Sequence, residues 1–200
     1  MALRHAILAT LAKGESSGYD LAKSFDVWVA NFWAATPQQL YRELEKLEAE
    51  GLVQARLVHQ RRRPDKRVHS LTDAGRTALH EFTARPPKPV AIRDELLVQV
   101  EALALGDVAQ IRSHLAEKLS ASRRKLEHYE QSREQLLDGR PEEQYLARDP
   151  RIGPYLTLAR GIAFEQETVR WCEFALRVLD ARENGHDLRT ARPPEPPEGP

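Results

Sequence analysis

Apolar residues recur at helical spacing through the first half of the chain. Leu3, Ile7, Leu8 and Leu11 lie at i, i+4, i+5 and i+8, one face of a short helix that Gly14 ends. Ser16 and Ser17 offer an N-cap for a second helix with Tyr19, Leu21, Ala22 and Phe25 on its apolar side. Thr36-Pro37 starts a third, a capping hydroxyl followed by proline at the first helical position. Leu40, Leu44 and Leu47 are its inward face, and Gly51 can take the left-handed conformation that closes it. The pattern then changes. Leu52 to His59 and Arg67 to Leu71 are β-compatible runs, and Pro64-Asp65 between them suits a type I turn, so a two-stranded hairpin is predicted. Thr72-Asp73 caps a further helix to about Thr83, with Ala74, Ala78, Leu79 and Phe82 inward.

The second half carries no strand signal. An apolar segment from Leu96 to Leu105 stops at Gly106-Asp107, which reads as a helix end and a new N-cap. Beyond it, Leu115, Leu119, Ser122, Leu126, Tyr129, Arg133 and Leu136 alternate spacings of four and three, ending at Gly139-Arg140-Pro141. A last helix from about Tyr155 repeats the device with Leu158, Ile162, Glu165, Val169, Cys172, Leu176 and Leu179. Both are heptad stripes, the pattern of helices that bury a seam against a partner.

Two proline clusters punctuate the chain, residues 85–89 and 192–200. Proline fixes φ and lacks an amide donor, so the first reads as a stiff linker and the second as part of a disordered tail. The expected organisation is a DNA-binding domain over 1–84, a linker over 85–93, a helical dimerisation domain over 94–183 and a tail over 184–200. The fold class is mainly α with a small β-hairpin: an N-terminal winged helix-turn-helix followed by a long-helix dimerisation domain.

Composition narrows the chemistry. Thirty Lys and Arg balance thirty Asp and Glu, so the whole-chain charge of zero selects no partner. Locally the balance breaks: residues 52–70 hold six Arg and Lys against the single acid Asp65, a net charge of +5. The lone Cys172 can form no internal disulfide, and none of the seven histidines stands four residues from another. No metal, no cofactor and no enzymatic site are expected. The N-terminal residues Met1 to His5 look like neither a signal peptide nor a membrane span, so a cytoplasmic protein is expected.

A helix-turn-helix followed by a basic hairpin is a device for duplex DNA, one helix entering the major groove while the hairpin reaches phosphates. With Leu40, Leu44 and Leu47 inward, Gln38, Gln39, Arg42 and Glu43 are the early outward candidates of the third helix. Glutamine can bridge adenine N6 and N7, and arginine guanine O6 and N7, each with about 1–3 kcal/mol of discrimination. Arg61, Arg62 and Arg63 form the basic tip. A different class, a winged helix that binds only protein and not specific DNA, usually carries an acidic or neutral wing; the six bases argue against it.

The blocks Ser17-Gly18-Tyr19-Asp20-Leu21, Phe32-Trp33, residues 39–53 from Gln39 to Val53, and Leu71-Thr72-Asp73-Ala74-Gly75-Arg76 resemble the PadR family of bacterial transcriptional regulators. The helical C-terminal half is similar to that family's virulence-activator (AphA-like) subgroup, whose C-terminal domain dimerises. The resemblance implies a homodimer on a palindromic operator, a repressor rather than an activator, released by a small molecule or another signal. The DNA-contacting set expected on it is Ser17, Tyr19, Gln38, Gln39, Tyr41, Arg42, Lys46, Arg61, Arg62, Arg63, Lys66 and Arg67. His69 stands where the family often carries tyrosine.

The expected dimer seam is Leu158, Ile162, Val169, Cys172, Leu176 and Leu179. Aromatic residues flank both halves: Trp28, Phe32 and Trp33 before the third helix, and Phe164, Trp171 and Phe174 beside the last seam. Packing explains most such clusters. Trp28, Trp33 and Trp171 are the candidate contacts for a small aromatic effector.

Overall fold

The computed structural model describes residues 2–28, 33, 35–59, 65–90 and 93–185. The chain divides into two compact units, Met1–Pro89 and Val90–Pro200. The division falls inside the proline-bearing segment expected as a linker over 85–93. The tail from residue 186 onward lies outside the described residues.

The first unit runs α1 (Ala2–Leu11), β1 (Ser16–Ser17), α2 (Gly18–Trp28), α3 (Pro37–Ala49), β2 (Val53–Val58), β3 (Lys66–Leu71) and α4 (Asp73–Thr83). Its antiparallel sheet has the order β1-β3-β2, so the predicted hairpin acquires a third, two-residue strand. Ser16 pairs with His69 and Ser17 with Val68. No strand was expected at the two serines, which the sequence offers as a helix cap. Ser17 does both jobs, pairing with β3 while its Oγ accepts from the Asp20 amide at 3.1 Å. One core gathers Ile7, Leu8 and Leu11 from α1, Leu21 and Phe25 from α2, Leu40, Leu44 and Leu47 from α3, and Val53 and Leu71 from the sheet.

On α4 two of the four residues expected inward, Ala78 and Leu79, face the core and two do not. Ala74 and Phe82 are exposed, whereas Gly75 is buried and Ala78 and Leu79 pack against the core. A side chain at position 75 would collide with the Leu52 carbonyl oxygen, which also accepts from the Thr72 amide at 3.2 Å. The helix therefore approaches the sheet through its missing Cβ. Phe82 stacks instead on His5 of α1, ring centroids 3.9 Å apart.

The second unit contains α5 (Glu95–Glu101), α6 (Val108–Leu137), α7 (Glu142–Arg148) and α8 (Gly153–Asn184). Asp107 caps α6 by accepting from the Gln110 amide at 3.1 Å, as Gly106-Asp107 predicts. Helices α6 and α8 lie antiparallel along their length. Arg112 pairs with Asp180 and Glu183, Arg123 with Glu173 at 2.6 Å, and Lys125 with Glu165 at 3.4 Å. The short α7 has no counterpart among the predicted elements. Its buried Tyr145 donates to the Arg151 carbonyl at 3.1 Å and packs 5.7 Å from the Tyr155 ring, anchoring the turn between the long helices.

The α8 seam needs correction. Leu158, Ile162, Cys172 and Leu179 are buried within the single chain, and Val169 and Leu176 are half-buried. Cys172 and Leu179 share a cluster with Ile111 and Leu115 of α6, and Leu176 packs on it. A heptad stripe states that a helix will cover it, not which one. Here the chain folds back and supplies that helix itself. The exposed apolar residues of this unit lie elsewhere: Leu105 (99% exposed), Leu156 (55%) and Phe164 (51%) among them.

Candidate nucleic-acid interface

Helix α3 is mounted by its core face and leaves its other side free. Thr36 and Gln39 form a capping box: Thr36 Oγ1 accepts from the Gln39 amide at 3.2 Å, and Gln39 Oε1 accepts from the Thr36 amide at 2.9 Å. With Leu40, Leu44 and Leu47 buried, Gln38, Tyr41, Arg42 and Glu45 point outward beside one another. Gln38 and Arg42 have no side-chain partner among the described residues, so their full donor and acceptor sets face solvent. Gln39 differs from expectation, since its amide oxygen is committed to the cap and cannot join its nitrogen in bridging an adenine. Lys46 lies 3.8 Å from Glu43 one turn back.

Helix α2 meets α3 at Gly18. A Cβ there would stand 2.5 Å from Tyr41 Cε1, so the phenol ring lies directly on the glycine. Tyr41 is thereby half packing and half surface, and Tyr19 beside it is 72% exposed. Ser17, expected as a DNA contact, is buried, and its hydroxyl is occupied by Asp20, whose carboxylate accepts from it at 2.6 Å. It acts as a cap and strand residue.

The hairpin pairs in register from Val53 with Leu71 to Val58 with Lys66. Arg61, Arg62 and Arg63 lie outside the described residues. Of the other bases, Lys66 is 3.7 Å from Asp20, Arg67 is 2.5 Å from Glu48, and Arg56 is 2.5 Å from Glu15. His59 Nδ1 is 2.7 Å from Asp65. The segment charge of +5 is thus partly answered by acids from other elements. Those acids, 19 to 41 residues away from Arg67 and Arg56, carry no signal in the hairpin's own sequence.

Along β3, alternate residues Leu71, His69 and Arg67 share one face that passes from core to surface. His69 is 7% exposed, and its Nδ1 is buried without a hydrogen-bond partner among the described residues. Burial holds its pKa below the ordinary value; the nearby Glu48 carboxylate pulls it up and Arg67 pushes it down.

The expected effector tryptophans are divided between the two units. Trp33 is partly exposed, the side chain of Trp28 lies outside the described residues, and Trp171 packs half-buried on the α6–α8 core of the other unit. No helix among the described residues is long and apolar enough to cross a membrane.

Four helices and a three-stranded sheet whose β2–β3 hairpin follows an outward-facing α3 define a winged helix-turn-helix protein. Comparison with known proteins specifies the family. Residues 7–81 match the "Transcriptional regulator PadR-like family", and residues 92–180 match "Virulence activator alpha C-term". The chain is 31% identical to the negative transcriptional regulator PadR of Bacillus subtilis over 179 residues, covering 89% of this chain and 97% of that one. It is 33% identical to the probable transcriptional regulator Rv1176c of Mycobacterium tuberculosis over 198 residues, 91% of this chain and 100% of the relative. Among solved structures, B. subtilis PadR in complex with operator DNA aligns with a TM-score of 0.72 at 30% identity, covering 90% of this chain and 100% of that one. The same protein in complex with p-coumaric acid gives 0.66 at 30%, over 90% and 99%. The Vibrio cholerae virulence activator AphA gives 0.66 at 31%, over 90% and 99%. The chain belongs to the PadR family of transcriptional regulators.

Proposed function

We propose that this protein represses transcription by binding an operator sequence as a homodimer, and that a small aromatic acid releases it. The observation that carries the reading is its likeness, over nine-tenths of its length, to a negative regulator solved on operator DNA. The outward face of α3 agrees with it. Gln38 and Arg42 stand unpaired at the start of a helix whose mounting is complete without them. Tyr41 on that helix and Tyr19, Lys66 and Arg67 outside it are assigned to the DNA backbone, and Arg61, Arg62 and Arg63 are assigned to phosphates on their sequence alone. The cell interior, where the duplex is, is the compartment of such a protein, and its role is regulatory rather than catalytic.

Self-association rests on the residues left uncovered in the second unit. Leu156 and Phe164 lie two helical turns apart on α8 and are each more than half exposed. A second copy covering them would set two α3 helices on one duplex, about one DNA turn or a multiple apart, which calls for a palindromic site. The effector reading rests on the B. subtilis relative, solved with p-coumaric acid. Trp33 is the exposed aromatic candidate for that contact.

The test is recovery of bound fragments from the source genome, followed by titration of the recovered site and a scrambled one. Gln38→Ala and Arg42→Ala should each weaken the recovered site by about 1–3 kcal/mol and leave the scrambled one nearly unchanged. Equal losses on both would reduce α3 to a positioning element, and failure to recover any common sequence would sink the repressor reading.

A further inference from the structure

The residues around His69 form a small pocket on the face assigned above to DNA, of about 310 Å³, between α2, α3 and β3. His69 closes its inner end. Its Nδ1 is buried without a hydrogen bond among the described residues, although the strand on each side of it is fully paired. A buried imidazole nitrogen without a partner costs stability. Nothing in the core explains its presence there, since Leu71 two residues on fills the same face with hydrocarbon.

The charged neighbours supply a reason. On α3 the pocket is lined by Glu45, Glu48 and the phenol of Tyr41; on α2 by Tyr19; on β3 by Lys66 and Arg67. The cross-strand partners of His69, Ser16 and Ala55, bring no charge, and the adjacent Glu15 and Arg56 neutralise each other. Asp20 on α2 is engaged by Lys66 and Ser17. The charge that matters most to the ring is therefore Glu48, and Glu48 is held by Arg67 at 2.5 Å.

We propose that His69 is a positioning residue for duplex binding, taking up one proton when a DNA phosphate draws Arg67 away from Glu48. This rests on the DNA-binding reading above. A phosphate can draw the guanidinium from the half-buried Glu48 carboxylate, which holds it through one bond, because the phosphate can accept two and counterions leave the duplex. The departing Arg67 would strand Glu48 as an uncompensated carboxylate beside a polyanion. A proton from solvent on His69 replaces the lost countercharge from behind, and burial of the ring keeps that proton off until Arg67 leaves. In the free protein the neutral ring lets Glu48 hold Arg67 back. Acidification then favours the bound arrangement, and the dependence follows from the sign: the complex binds one more proton than the free protein, so affinity rises as pH falls.

The test is a titration of a mixed-sequence duplex several helical turns long, at low and constant salt, from pH 8 to pH 5. Affinity of the full-length protein should rise about tenfold toward the acid end, one factor of ten for each unit by which the duplex raises the His69 pKa. His69→Gln should flatten the profile, and so should Glu48→Gln, which removes the restraint on Arg67 and should bind at pH 8 as tightly as the unsubstituted protein does at pH 5. His59→Gln, a histidine of the same hairpin, should keep the slope. Ring resonances of His69 in the unsubstituted protein give a measurement that needs no variant: its pKa should rise on adding the duplex. A slope that survives in both His69→Gln and Glu48→Gln, or a His69 pKa unmoved by the duplex, overturns the inference while leaving DNA binding intact. Absence of duplex binding at every pH overturns the DNA-binding reading and this inference with it.

Discussion

The two units solve the same problem, covering helices with apolar side chains, in opposite ways. In the first, ten buried residues from five elements close one core, and three ion pairs, Arg56 with Glu15, Lys66 with Asp20 and Arg67 with Glu48, tie the sheet to its neighbours. In the second, two long helices supply most of the burial, and the seam between them admits Ser122, Ser132 and Glu165 while Leu156 and Phe164 stay outside. The first unit is finished as a single chain. The second has an inner face interrupted by polar groups and an outer face that is partly apolar, the face that the proposed second copy would cover.

That contrast can be broken most forcefully in the cores. Leu44→Ala should remove about 2–5 kcal/mol from the first unit, since the vacated volume is surrounded by residues already in contact. Scanning calorimetry should then show one transition move down and the other stay. The unmoved transition should rise with protein concentration, because association stabilises only the unit that associates. A first-unit transition that depends on concentration would invert the comparison.

Next in size is the outer face of α8. Leu156→Asp combined with Phe164→Asp should convert a sedimenting dimer to a monomer, since each side chain buried against a partner is worth about 1.5–3 kcal/mol. Operator affinity should fall by about two to four orders of magnitude as bivalency is lost. An unchanged dimer would move the interface to the exposed cluster around Leu105.

A smaller effect sharpens the mounting of α3. Thr36→Ala removes one partner of the capping box and should cost about 1 kcal/mol, read as a shift in urea midpoint at constant slope. No shift would mean that Gln39 is free to leave the cap.

The smallest effect belongs to alkaline pH. Burial, aided by the Glu142 carboxylate that accepts from its hydroxyl, leaves Tyr155 with a pKa pushed up to about 12. In the unfolded chain tyrosine ionises near about 10, so between those values the unfolded state has lost a proton that the folded state keeps. Stability of the second unit should fall as pH rises through that window. Tyr155→Phe should fall less over the same interval, checked by urea midpoints on either side of it; an identical decline would assign the loss to other groups.

Periodicity and capping are enough to place α1 to α6, α8 and the hairpin, although α5 ends at Glu101, short of the stop expected at Gly106. What they could not supply was long-range. The strand Ser16–Ser17 is two residues long and exists only because β3 offers it an edge. The α8 seam was legible as apolar, but its partner helix was a matter of chain reversal through α7. The +5 charge of the wing was countable, whereas Glu15, Asp20 and Glu48 reach it only through the fold. Gly75 did carry a signal, a glycine inside a helical run, which marks close backbone approach more often than flexibility. At the candidate interface, Gln38, Arg42 and the Ser17 cap are readable from the helix period and its start signal, whereas the commitment of Gln39 to the α3 cap and the pairing of Ser17 with β3 are not.

The contact of Gly18 with the Tyr41 ring separates two things that a protein of this kind must vary independently. The distance between α2 and α3 is fixed by a hydrogen atom on one side and a flat ring on the other, neither of which reads a base. Gln38 and Arg42 project from the same helix but take no part in that joint. If Gln38 and Arg42 read bases as proposed, paralogous chains could change the letters they recognise by exchanging those two side chains while the Gly18–Tyr41 joint stays as it was.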